Sequence, residues 1–94
     1  MAAESTRLKR VRRNATIEEA PLQGERMLFD PANAKFFVLN PTMAFVWDGC
    51  DGETPLQEIA KRMIATFDGV DAATASRDVQ AAVTELISLG LLLD

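Results

Sequence analysis

Apolar and polar residues alternate weakly in the first half of the chain and recur at helical spacing in the second. Residues 16–20 alternate enough to suggest a first strand, and Pro21 to Glu25, containing Gly24, reads as a loop. Met27 to Asp30 is a second apolar run. Asp30-Pro31-Ala32-Asn33 carries turn chemistry, because proline presets its φ and Asp and Asn bond locally to the backbone. Lys35 to Leu39 is then a third strand, which forms a hairpin with the second. In that strand Phe37 and Leu39 share one face while Phe36 and Val38 share the other. Both faces are apolar. Either the strand is covered on both sides, or its second face or edge is left for a partner.

The second half predicts three helices. Asn40 caps the first, with Pro41 at its first position, and the helix ends near Cys50. Asp51-Gly52 turns the chain, and Thr54-Pro55-Leu56-Gln57 fits a capping box for the second helix. Leu56, Ile59, Ala60, Met63, Ile64 and Phe67 line one face of it, and Asp68-Gly69 stops it. Asp71 or Thr74 caps the third helix, whose apolar stripe is Ala75, Val79, Ala82, Val83, Leu86 and Ile87. Its outward positions include Arg77, Gln80, Ala81, Thr84, Glu85 and Ser88, and Gly90 ends it. Three strands followed by three helices predict an α+β fold, with a three-stranded antiparallel sheet and a helix-turn-helix for which the hairpin is the wing.

Composition narrows the function. The chain has 94 residues, 48% apolar and 26% charged, which fits one folded domain. No apolar run reaches the ~20 residues of a membrane helix, and the basic N-terminus lacks the apolar stretch of a secretory signal. A single cysteine, Cys50, suits a reducing cytoplasm. Charge is uneven. Arg7, Lys9, Arg10, Arg12 and Arg13 place five cations in seven positions, whereas Asn14 to Asp94 holds thirteen acidic and five basic residues, net −8. Residues 1–15 therefore read as a mobile basic arm and 16–94 as the folded domain. The arm either steers an acidic partner or lies on its own acidic body.

Catalysis finds no foothold. There is no histidine to act as a general base, the serines lie outside any nucleophile elbow, and Cys50 reads as a small buried apolar residue. Asp48, Asp51 and Glu53 lack the spacing of a calcium loop, and no glycine-rich phosphate loop is present, so neither a metal nor a cofactor is expected. Trp47, among apolar neighbours, belongs to the core. A winged helix invites a DNA reading, but the third helix offers Arg77 against Asp78 and Glu85, and a body at net −8 suits phosphate poorly. A small DNA-binding protein is thus the alternative function. A third reading is a module whose apolar strand pairs with its own copy to form a homodimer.

At "LNPTMAFVWDGCDGETPLQEIA" the chain resembles the PqqD-like family, named for protein D of pyrroloquinoline quinone biosynthesis. The shared features are a strand ending in Leu39-Asn40, Ala44 in the next helix, Val46-Trp47, Asp51-Gly52, Thr54 and Glu58-Ile59-Ala60. "MLFDPANAKFFVLN" resembles the family's hairpin, and "DVQAAVTELISLGLL" its last helix. The resemblance spans about residues 16–93. It implies a winged helix-turn-helix that recognises the leader of a ribosomally made precursor peptide and presents it to a maturation enzyme. In the quinone pathway that enzyme is a radical S-adenosylmethionine protein. It further implies that the leader adds as a strand to Lys35, Phe36, Phe37, Val38 and Leu39 and lies beside Arg77, Gln80, Ala81 and Thr84 of the third helix. Strand addition would explain the two apolar faces. Phe45-Val46-Trp47 looks more like the broad family and Cys50-Asp51-Gly52 like the quinone protein. Lasso-peptide systems use related domains.

Overall fold

The computed structural model describes residues 10–93. In chain order the elements are β1 (Arg10–Arg13), β2 (Glu18–Leu22), β3 (Glu25–Asp30), β4 (Lys35–Leu39), α1 (Pro41–Gly49), β5 (Asp51–Pro55), α2 (Leu56–Thr66), α3 (Ala72–Ser88) and β6 (Leu92–Leu93). The expected three-stranded antiparallel sheet is β2-β3-β4, with β3 central. A second three-stranded sheet, ordered β5-β1-β6, was not expected.

That second sheet corrects the reading of the basic arm. Arg10 to Arg13, assigned to the arm, form its central strand, and Val11 is fully buried. One apolar residue among arginines hides the alternation that marks a strand. Arg13 donates to the carbonyls of Trp47 and Asp48 at 3.1 and 2.9 Å, satisfying the C-terminal end of α1. Arg10 Nε donates to the Glu53 carbonyl at 2.9 Å. Residues 1–9 of the expected arm lie outside the described residues.

The hairpins also shift. Pro21 and Leu22, expected in a loop, continue β2, and only Gln23-Gly24 turns, with Gly24 at φ +73°. Proline is tolerated there because β2 is an edge strand. Between β3 and β4 the Asp30 carboxylate accepts from the Ala32 amide at 3.0 Å and the Asn33 side chain at 2.8 Å, as the turn chemistry predicts.

The helices follow the pattern closely. The Asn40 side chain accepts from the Met43 amide and the Asp71 side chain from the Thr74 amide, both at 2.8 Å. The capping box is not formed. Pro55 is the N-cap of α2 without a side-chain bond, because the Thr54 hydroxyl donates instead to Asp51 at 2.9 Å. Asp51 also accepts from the Glu53 and Thr54 amides, and these bonds hold its carboxyl down at about 2. At the end of α3 the amide of Gly90 bonds Ile87 and that of Leu91 bonds Leu86, with Gly90 at φ +77°. This closing motif turns Leu91 and Leu92 back into the core.

The core gathers Leu28 and Leu39 from the first sheet, Val11 and Leu92 from the second, and the inward stripes of the helices. Trp47, on α1, is buried, as is Cys50. Ile64, expected on the inner stripe of α2, is 39% exposed.

Candidate functional site

The register of the first sheet fixes which backbone groups of β4 face outward. Leu22 pairs with Glu25 across the two-residue turn, so these two exchange hydrogen bonds. Alternation along β3 then points Met27 and Phe29 toward β2 and directs Arg26, Leu28 and Asp30 toward β4. Their partners Leu39, Phe37 and Lys35 are the bonded residues of β4. Phe36 and Val38 consequently direct their N–H and C=O groups away from the sheet. The close approach of Phe29 and Phe36, ring centroids 4.6 Å apart, fits the narrower side-chain spacing of a non-bonded pair.

The same residues expose their side chains. Phe36 is 67% and Val38 58% exposed, whereas Leu39 is 3% exposed and Phe37 packs against the core. Of the expected strand residues, then, Lys35, Phe36 and Val38 are open to a ligand. Phe37 is half-buried, and Leu39 is buried with its backbone groups turned to β3. On α3, Arg77, Ala81 and Thr84 are exposed and share one face at three- and four-residue spacing. Gln80 is half-buried and lines a different place, a groove of about 300 Å³ between α2 and α3 with Leu56, Ala60, Ile64 and Val79. The strand set is contiguous, and α1 packs against both β4 and α3.

A polar clamp that the pattern did not suggest fastens the opposite side of the sheet. Arg26 grips Asp48 of α1 with both terminal nitrogens, at 2.6 and 2.9 Å, and also reaches Glu19 of β2 at 3.0 Å. The bond from Asp48 raises the Arg26 pKa further. Asp48 is thus engaged by Arg26, and Asp51 by its own turn. Among the described residues no group of three His, Cys, Asp or Glu side chains could hold a metal ion. Burial pushes the Cys50 thiol up to about 11, so it is no nucleophile at neutral pH. Met27 and Phe29 extend the outward apolar face beyond β4; their period-two spacing was the available signal.

No helix among the described residues is long and apolar enough to cross a membrane. The family model described as "Coenzyme PQQ synthesis protein D (PqqD)" matches residues 25–92. No curated protein sequence matches the chain. Two solved structures share its fold. One is TbiB1 in complex with the TbiA(beta) leader peptide, at 21% identity and a TM-score of 0.77, covering 86% of this chain and 93% of that one. The other is a lasso peptide synthetase B1 complexed with the leader peptide, at 23% identity and a TM-score of 0.80, covering 92% of this chain and 100% of that one.

Proposed function

The chain belongs to the family of coenzyme PQQ synthesis protein D, and from that membership we propose that it is a non-catalytic chaperone for the leader of a ribosomally made precursor peptide. The observation that supports this most is the β4 edge. Phe36 and Val38 offer outward backbone groups and exposed apolar side chains, without proline or glycine to block a new strand. A leader adding there gains backbone hydrogen bonds from the edge and apolar contact from the two side chains. Arg77, Ala81 and Thr84 on α3 are available to the rest of the peptide. The solved structures of the same fold hold leader peptides, which agrees with this use of the fold.

The chaperone presents the leader to a maturation enzyme in the cytoplasm. For the quinone pathway that enzyme is of the radical S-adenosylmethionine type, and in a lasso-type pathway a different modifying protein takes its place. The binding unit extends from β1 to β6, and Arg7 and Lys9 precede it. Self-pairing of β4 into a homodimer would compete with leader addition for the same edge.

A candidate precursor peptide supplies the test. Its labelled leader should bind the full chain, with amide shifts centred on Lys35 to Leu39, and incubation with this protein alone should leave the precursor mass unchanged. Binding that ignores Val38→Pro in a folded variant, or a change in precursor mass, would refute the proposal. Sedimentation over a range of concentrations reports whether the leader displaces a dimer.

A further inference from the structure

The outer face of the β2-β3-β4 sheet holds a row of side chains of which strand addition uses only Phe36, at the β4 end. Glu18, Phe29 and Phe36 lie side by side on the three strands, on the same face. Adjacent strands stand about 4.8 Å apart, so the row runs carboxylate, ring, ring within the reach of one long side chain. The two rings are tilted by 37°. The next row on this face is Ala20, Met27 and Val38. Glu18, Ala20, Met27, Phe29 and Phe36 line a shallow cavity of about 330 Å³.

Every charged residue on this face is acidic. The outward positions of the three strands are Glu18, Ala20, Leu22, Glu25, Met27, Phe29, Phe36 and Val38 by register. Glu19, at the rim, already shares its carboxylate with Arg26, whereas no cation of the described residues lies within ion-pair distance of Glu18.

We propose that this notch receives a lysine or arginine side chain from a basic, apolar-flanked segment of a protein partner. The methylene stem would lie along Met27 and Ala20. The cation would sit between Glu18 and the face of Phe29 turned away from Phe36, where the ring quadrupole attracts positive charge and Glu18 accepts from its N–H groups. A neutral apolar side chain would leave Glu18 unused, and an anion would be repelled. The net charge of −4 on the chain favours the approach of such a segment. The two sites share Phe36, but Glu18 and Ala20 lie on β2 and Met27 and Phe29 on β3, away from the β4 edge, so the two can be tested apart through these residues.

The probe is the peptide acetyl-Gly-Leu-Arg-Leu-Gly-amide, titrated into the full chain and followed by amide shifts. Its control carries citrulline, which keeps the shape of arginine without its charge. Shifts should centre on Ala20, Met27, Phe29 and Phe36, and the citrulline peptide should bind roughly three- to tenfold more weakly. Glu18→Gln should remove most of that difference. Phe29→Leu, which keeps the surface apolar, should weaken the arginine peptide roughly two- to fivefold. Equal affinity for the two peptides would overturn the proposal, as would shifts confined to the β4 edge. Binding that appears only after residues 1–9 are deleted would also overturn it, because the notch would then belong to the chain's own Arg7 or Lys9.

Discussion

The two edges of the β2-β3-β4 sheet differ in almost every respect that governs strand pairing. β2 carries Pro21, whose missing N–H falls on the outward side by the register, and it carries Glu18 and Glu19. It is also fastened, through Glu19 and Arg26, to Asp48 of α1. β4 has no proline, one charge at its start, and two apolar side chains in the open. Proline and charge are the ordinary means by which proteins stop a sheet from growing. Their concentration on one edge and near-absence on the other leave β4 the less guarded edge of this sheet.

The sharpest way to break this contrast is proline within β4. Phe37→Pro removes a donor that bonds Leu28 and should cost about 3 kcal/mol or more, abolishing the cooperative unfolding transition seen by circular dichroism. Val38→Pro removes an outward donor and should leave a folded protein that has lost strand addition. A folded Phe37→Pro with an unfolded Val38→Pro would reverse the assignment of the free edge.

Releasing the clamp on the other side should have a smaller effect. Arg26→Met loses a bidentate, partly exposed ion pair, and we expect a loss of about 1 kcal/mol in urea titrations. Hydrogen exchange should quicken more in β2 than in β4, since Glu19 and Asp48 lose their common partner. Equal quickening in both strands would mean that the clamp does not distinguish the edges.

The second sheet offers a comparison in pH. Asp51, on its edge strand β5, is held down at about 2 by bonds from Glu53 and Thr54. Its folded pKa lies below its unfolded value of about 3.9, so its contribution is complete above that value and disappears as pH falls through about 2. Asp51→Asn should therefore flatten the acid limb of the stability profile between those values. An unchanged limb in the variant would contradict the assignment.

The smallest change expected concerns Pro21→Val. It returns an N–H to the outer side of β2 and should alter stability by about 0.5 kcal/mol. Its readout is association: sedimentation should show more self-pairing than the parent chain. If β2 stays unpaired with valine, its neighbouring glutamates suffice to protect it.

The sequence made some of this legible and concealed the rest for identifiable reasons. The caps at Asn40 and Asp71, the stop at Gly90 and the stripe from Ala75 to Leu86 depend on neighbours within a turn or two, so local spacing reveals them. β1 and β6 do not. Their pairing joins Arg13 to Leu92, and neither short segment carries a periodic signal of its own. The capping box expected at Thr54 fails because a hydroxyl can serve either a helix end or a turn, and Asp51 draws it into the turn. In the candidate site, Phe36 and Val38 were evident as a second apolar face, but that it is the open one emerged only from the packing of Leu28, Phe37 and Leu39. The row Glu18–Phe29–Phe36 needs cross-strand register, which no single strand reveals.

The pairing of β1 with β6 sets the order in which the molecule can assemble. Closing that sheet brings together positions almost a full chain length apart, with a correspondingly large loss of chain entropy. The β2-β3-β4 hairpins need only short turns. The open edge is thus built from contacts close along the chain, whereas the sheet uniting the two ends of the described chain closes the longest loop. During synthesis β4 emerges from the ribosome well before β6, so the strand suited to a partner is displayed while its own domain is incomplete. Early encounter with a partner strand, before the last helix has docked, is a hazard and an opportunity for the nascent chain of this topology.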